Sequence, residues 1–175
     1  MQQLRLSGTG GQGLILAGII LAEAALLDGK NAIQSQSYGP EARGGSSKSE
    51  VLISDKTLHY PKITVPNVVL AMSQEACNKF TSDLTAEGIL ITDNLFVDKL
   101  PGKTCKKIYE LPITHTAQQG LGKTLFANIV ALGAVVKITG VVSVASLTTA
   151  VLNRVPKGTE ELNEKAIRLG MGIVE

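Results

Sequence analysis

Apolar residues take two forms along this chain. In Asn67-Val-Val-Leu-Ala-Met72 and Gly88-Ile-Leu-Ile-Thr92 they form short continuous runs, the pattern of a parallel-sheet strand buried on both faces. Over Leu14–Leu27 and Thr124–Lys137 the runs are long, free of Pro and rich in Ala, Leu, Ile and Val, which predicts buried helices. Gln3-Leu-Arg-Leu6 alternates and predicts a short first strand. The more polar Ala32–Ser37, then Ser49–Ser54 and Lys106–Leu111, predict three further strands. Ser143–Asn153 and Thr159–Gly170 predict two more helices, the last amphipathic through Leu162, Ala166, Ile167 and Leu169.

The punctuation agrees with this division. Asp28-Gly29-Lys30 stops the first helix, with Gly29 as its cap. Ser73 caps a short helix, with Ala76 at its third position and Gln74 and Glu75 in its first turn. Gly-Pro and Gly-Gly break Tyr38–Ser47 into a loop. Strands alternating with helices predict an α/β fold of three layers, α/β/α. Its sheet is mostly parallel and its first βα turn Rossmann-like, in one domain over residues 1–175. Ligands of such sheets bind beyond the carboxyl ends of the strands. Gly8–Gly13, Tyr38–Gly45, Met72-Ser73 and Asp93-Asn94 are expected to gather there.

Composition narrows the function. The 175 residues suffice for one domain with a substantial core. Apolar residues make up 44% and charged residues only 18%, against an ordinary charged fraction of about 25%. Such a chain folds, and it is lightly charged for a free monomer, so part of its surface is expected to be covered by a partner. The net charge of +2 is spread with both signs mixed, with no basic stripe or interleaved aromatics, which argues against nucleic acid. Two Cys, Cys77 and Cys105, and two His, His59 and His115, give no zinc-finger spacing and are expected as free thiols and structural imidazoles. Leu14–Leu27 is interrupted by Glu23 and is shorter than a bilayer span, and Ala131–Leu152 carries Lys137 and Gly140. No membrane association and no signal peptide are expected, and the location reads as cytoplasmic.

Candidate chemistry lies in the glycines. Seven of the 18 fall in two stretches: Gly8, Gly10, Gly11 and Gly13, then Gly39, Gly44 and Gly45. Gly8-Thr-Gly-Gly-Gln-Gly13 matches GxGxxG between a strand and a helix, where free N–H groups and the helix dipole suit an anion. An NAD site also needs a carboxylate about 20 residues on. Gln34-Ser-Gln36-Ser-Tyr38 offers none, so the turn reads either as a cradle for another anionic group or as a device for close helix–strand packing. Ala117-Gln-Gln-Gly-Leu-Gly-Lys-Thr124 imitates a phosphate loop. It lacks the first Gly and follows the Asp93 strand rather than preceding it, so it reads as a glycine-containing helix start with an exposed Lys123. Asn128, inside an apolar helix, reads as a satisfied core polar group.

The second loop, Ser37-Tyr-Gly-Pro-Glu-Ala-Arg-Gly-Gly-Ser46, is the most specific stretch. Pro40 stiffens it, and Arg43 is suited to fork onto a phosphate or carboxylate. GTGGQG followed by SYGPEARGG resembles the gamma subunit of the 2-oxoacid:ferredoxin oxidoreductases of pyruvate, 2-oxoglutarate and branched-chain type. The likeness continues through Ile53-Ser54-Asp55, Met72-Ser73-Gln74-Glu75-Ala76, Leu132-Gly133-Ala134 and Glu161–Ala166 with Gly170, and so covers essentially the whole chain.

The resemblance implies a subunit of an enzyme that oxidatively decarboxylates a 2-oxoacid with coenzyme A, giving acyl-CoA, carbon dioxide and reduced ferredoxin. It implies thiamine diphosphate, magnesium and iron–sulfur clusters in partner alpha and beta subunits, and in a delta subunit where the complex has one. This chain would then bind none of these alone and be inactive alone. Two Cys fall short of the usual four cluster ligands, in keeping with this. The residues expected at a shared coenzyme A site are Gly8, Thr9, Gly10, Gly11, Gln12 and Gly13 as the cradle, Tyr38, Glu41 and Arg43 on the loop, and Ser73 and Gln74 at the next strand end. The alternatives are a stand-alone nucleotide-binding α/β protein and a subunit that serves only to join others.

Overall fold

A computed structural model describes residues 1–38, 45–102 and 105–174, with Tyr38 as backbone only. Six strands form one sheet in the order β2-β3-β1-β4-β5-β6. They are β1 (Gln2–Thr9), β2 (Asn31–Tyr38), β3 (Ser46–Ser54), β4 (Val68–Ala71), β5 (Ile89–Asp93) and β6 (Lys107–Leu111). β1, β4, β5 and β6 pair in parallel, while β3 runs against both neighbours, β1 and β2. The mostly parallel α/β sheet is thus present, with one reversed strand that alternation alone could not orient.

The helices are α1 (Leu14–Leu27), α2 (Gln74–Phe80), α3 (Ile113–Leu121), α4 (Ala127–Thr139), α5 (Val144–Leu152) and α6 (Glu160–Gly172), with a 3-10 turn at Thr124–Phe126. Strand alternation assigns the two faces. Leu4, Leu6, Val68, Leu70 and Ile91 join α1 and α4 in the main core. On the other face Arg5 reaches the end of α2, and Val69, Leu84 and Leu90 form a smaller cluster.

α4 is the centre of the main core, with every residue from Ala127 to Val136 buried. α6 crosses it where two glycines meet. A Cβ on Gly133 would lie 3.2 Å from the Ile167 carbonyl carbon, and one on Gly170 would lie 2.8 Å from that of Val130. Neither helix can host a larger residue there without moving.

The other face is organised by charge. Arg5, 5% exposed, donates Nε to Glu50 (2.8 Å) and Nη2 to Asp83 (2.9 Å), and caps the Phe80 carbonyl through Nη1. Burial is the largest single influence and works against both charged forms, but the hydrogen bonds and opposite charges around them together outweigh it, Asp83 and Glu50 raising the Arg5 pKa and chiefly Arg5 lowering that of Asp83. Among the described residues no helix is long and apolar enough to cross a membrane.

Candidate functional site

Register places the carboxyl ends of β1, β4, β5 and β6 along one edge. Ser7 is level with Ala71, Ala71 with Thr92, and Asp93 with Leu111. β3 enters the sheet at the same edge, since Thr9 pairs with Ser46 and Tyr38 with Ser47. The glycine turn, the ends of the second loop, Met72-Ser73 and Asp93-Asn94 therefore converge as expected. Gly10 N–H donates to the Gly45 carbonyl (2.9 Å), so the two glycine stretches touch directly.

In the first turn Gln12 does the fastening. Its Oε1 accepts from Thr9 N–H (2.7 Å) and its Nε2 donates to the Met72 carbonyl (2.9 Å), so one carboxamide bridges the ends of β1 and β4. That gap is the switch point, where connections leave the sheet in opposite directions and where dinucleotide-binding relatives of this architecture seat their ligand. Here it holds a side chain of the same protein. Gly8 lacks a Cβ because one would run into the Gln12 carboxamide, and would lie 2.7 Å from Leu14 Cδ1. Gly13, left-handed at φ 74°, takes the N-cap position of α1, and its carbonyl accepts from Asn128 Nδ2 (3.3 Å). Asn128 Oδ1 accepts from Ile129 N–H, so Asn128 is a satisfied core amide.

The part of the turn left open is Gly10-Gly11. A Cβ on Gly11 would meet nothing within 4 Å, and no side chain caps the positive end of α1. Gly11 and Gln12 form one wall of a cavity of about 290 Å³, completed by Phe96, Thr114, Thr124, Leu125 and Ala127. Beneath it lies Asp93, fully buried. Its Oδ2 accepts from Thr114 N–H (3.2 Å) and from the Thr114 hydroxyl, so a β5 carboxylate caps α3. A larger hollow of about 610 Å³ opens at the opposite end, between Gln3, Ser54 and the 55–64 segment. It lies away from the carboxyl ends of the parallel strands.

The remaining expected site residues divide. Ser73 caps α2 by accepting from Ala76 N–H (3.2 Å), as its position predicts. Gln74 is fully engaged: Oε1 accepts from Asp98 and Lys99 N–H, and Nε2 donates to Asn78 Oδ1 and the Lys99 carbonyl. It holds the 94–100 loop against α2. Glu41 and Arg43 lie outside the described residues, and so does the Tyr38 side chain. Lys79, which the sequence reading did not single out, donates to Ser46 Oγ (3.0 Å) and brings a cation to this edge. Phe96, Thr114 and Leu125 were likewise unanticipated, since nothing local marks them as cavity walls.

Cys77 packs with Ala71 and Val97, whereas Cys105 packs on the Val69–Leu90 cluster. Among the described residues no three His, Cys, Asp or Glu side chains converge.

Fold and edge together describe an α/β scaffold with a notch of about 290 Å³ at its carboxyl edge. Residues 3–173 match the Pyruvate ferredoxin/flavodoxin oxidoreductase family, and the chain belongs to it. It is 45% identical to the 2-oxoglutarate synthase subunit KorC of Methanocaldococcus jannaschii, over 99% of this chain and 94% of that one. Among solved structures, the gamma subunit of keto/oxoacid ferredoxin oxidoreductase from Geobacter sulfurreducens PCA is 50% identical, with a TM-score of 0.86 over 98% of this chain and 97% of that one. The 2-oxoglutarate:ferredoxin oxidoreductase of Magnetococcus marinus, with 2-oxoglutarate, coenzyme A and succinyl-CoA bound, shares the fold at a TM-score of 0.86 and 21% identity. There 98% of this chain covers 30% of a longer one. The protein is accordingly a gamma subunit of the 2-oxoacid:ferredoxin oxidoreductases.

Proposed function

We propose that the carboxyl edge of this subunit forms one wall of a coenzyme A site whose other wall is a partner subunit, and that 2-oxoglutarate is the oxoacid. The observation that carries the proposal is the notch at Gly11, open beside the uncapped positive end of α1 and flanked by the Phe96 and Leu125 side chains. An anionic group meets the Gly11 N–H and the first turn of α1, while a neutral stretch of the molecule lies along Phe96 and Leu125. The names of the KorC relative and of the Magnetococcus complex support this choice of ligand and oxoacid.

Thiamine diphosphate with magnesium, bound by partner alpha and beta subunits, supplies the carbanion chemistry, and their iron–sulfur clusters carry electrons to ferredoxin. This chain positions the acceptor thiol of coenzyme A and excludes water beside it. It is inactive alone and resides in the cytoplasm.

Leu125 is 74% exposed, so Leu125→Glu leaves the fold intact while placing a negative charge on the rim. In the reconstituted complex it should raise the KM for coenzyme A about tenfold with the KM for 2-oxoglutarate unchanged, whereas Leu125→Met should do neither. An unchanged KM for coenzyme A in an intact complex would refute the site.

A further inference from the structure

The notch at Gly11 is polarised, and the side chain that fixes its polarity is Thr114. Among the described residues three polar side chains line the notch: Gln12, Thr114 and Thr124. Gln12 is spent within the chain, with Oε1 on the Thr9 N–H and Nε2 on the Met72 carbonyl. Thr124 is exposed, and a free hydroxyl turns to donate or accept as a ligand requires. Thr114 is nearly buried, and its hydroxyl proton is committed.

The commitment comes from Asp93. Its Oδ2 accepts from the Thr114 hydroxyl and from the Thr114 N–H (3.2 Å), and its Oδ1 accepts from the Leu95 N–H (3.3 Å). A carboxylate only accepts, so the Thr114 hydroxyl must donate to it. What remains on that oxygen is lone pairs, and among the described residues no donor engages them. Any polar side-chain surface that Thr114 offers the notch is therefore acceptor surface.

The two helix ends agree with this polarity. Asp93 neutralises the positive end of α3, whereas the positive end of α1 has no side-chain cap. An anion is drawn to the α1 end and repelled from the Thr114 end, where the buried Asp93 charge lies behind the hydroxyl. The notch thus holds N–H donors on one side and a fixed acceptor on the other.

We infer that Thr114 is a specificity-determining residue, which accepts a hydrogen bond from an amide N–H of the neutral pantetheine arm while an anionic group of the same ligand sits at Gly11. The inference rests on the coenzyme A reading of the notch. Asp93, shut away beneath, is a positioning residue that acts through Thr114. A ligand that brings lone pairs to this point in place of an N–H faces lone pairs and is rejected.

The test is calorimetry on the assembled complex without oxoacid, which reads binding and allows no turnover. The ligands are coenzyme A and the analogues in which one or the other amide N–H is replaced by an ester oxygen. With the parent complex, one analogue should bind about tenfold more weakly than coenzyme A, the effect of leaving a buried acceptor without its donor. Thr114→Val keeps the side-chain shape and the main-chain N–H on Asp93, and should bring that ratio near one, while Thr114→Ser should retain it. Equal binding of coenzyme A and both analogues by the parent would overturn the inference without any variant having to fold. A ratio that persists in Thr114→Val, or is lost as fully in Thr114→Ser, would overturn it too. An effect of Leu125→Glu on coenzyme A with no amide preference removes the role of Thr114 alone, whereas indifference to Leu125→Glu removes the site and this inference with it.

Discussion

Replacing Gly170 by Ala adds a single methyl group where α6 crosses α4. The new Cβ lies 2.8 Å from the Val130 carbonyl carbon, 3.1 Å from Ala134 N and closer still to the Val130 carbonyl oxygen. All three are backbone atoms in the buried stretch of α4, so no side-chain rotation relieves the contact. Carbon atoms pack at about 3.5–4.0 Å, so the helices must part by roughly 1 Å along the seam lined by Val130, Ala134, Ala166 and Ile167. A gap of that size forfeits a quarter to a half of each dispersion contact, and overpacking of this kind costs about 1–3 kcal/mol or more. Removing a helical glycine returns about 1 kcal/mol.

The net expectation is a loss near 2 kcal/mol, or about 4–8 °C in Tm for a chain of this length, read by thermal unfolding followed by circular dichroism. Gly133→Ala should behave alike. The double variant should lose less than the sum, because one displacement relieves both contacts. A Tm for Gly170→Ala at or above the parent's, or strict additivity of the two losses, would refute this account of the crossing.

Three further outcomes follow from the same geometry. Gly8→Ala should destabilise strongly in the parent but much less in a Gln12→Ala background. The two substitutions share one space, so a coupling of about 1 kcal/mol or more is expected from denaturant unfolding of the cycle. Arg5→Met takes from Asp83 its Arg5 partner, leaves Glu50 with Lys48 alone (3.0 Å) and uncaps the Phe80 carbonyl, and should cost about 1–3 kcal/mol in urea unfolding, with Arg5→Lys recovering only part. Hydrogen bonds to Asp28 from the Ser146 hydroxyl and from the hydroxyl and N–H of Ser143 outweigh its burial and lower its pKa. Its contribution is therefore complete above the unfolded value of about 3.9 and is lost as pH falls through the folded one. Asp28→Asn should make stability less dependent on pH below about 4, as measured by melts in an acid series.

What could be read in the sequence was what local chemistry decides. The apolar run Leu14–Leu27 is the helix it predicts, residue for residue, and Ser73 caps α2 on Ala76. The strand ends fall together because each apolar run stops at a polar or glycine residue at the same edge. α3 escaped notice because its cap is Asp93, distant in the chain, while Thr114, Gln118 and Gly120 obscure its apolar face. The phosphate-loop imitation turned out to be the end of α3 with Gly122 as its left-handed cap, followed by an exposed Lys123. GxGxxG was legible as a turn, but not as one filled from within. Whether a glycine leaves room for a ligand or for Gln12 and Asn128 depends on a contact 115 residues distant.

The carboxyl edge is fastened largely by groups without net charge: the Gln12 amide between two strands, the Gln74 amide across the 94–100 loop, and the Ser73 cap. Among the described residues its buried carboxylate is Asp93, closed off from solvent ions. Salt screens exposed charges and leaves such amide bridges almost untouched. Over the range in which the subunit stays folded, ionic strength therefore acts on what arrives at this edge and not on the shape of the edge. For the coenzyme A site proposed above, the salt dependence of its affinity then reports the charges that ligand and edge exchange.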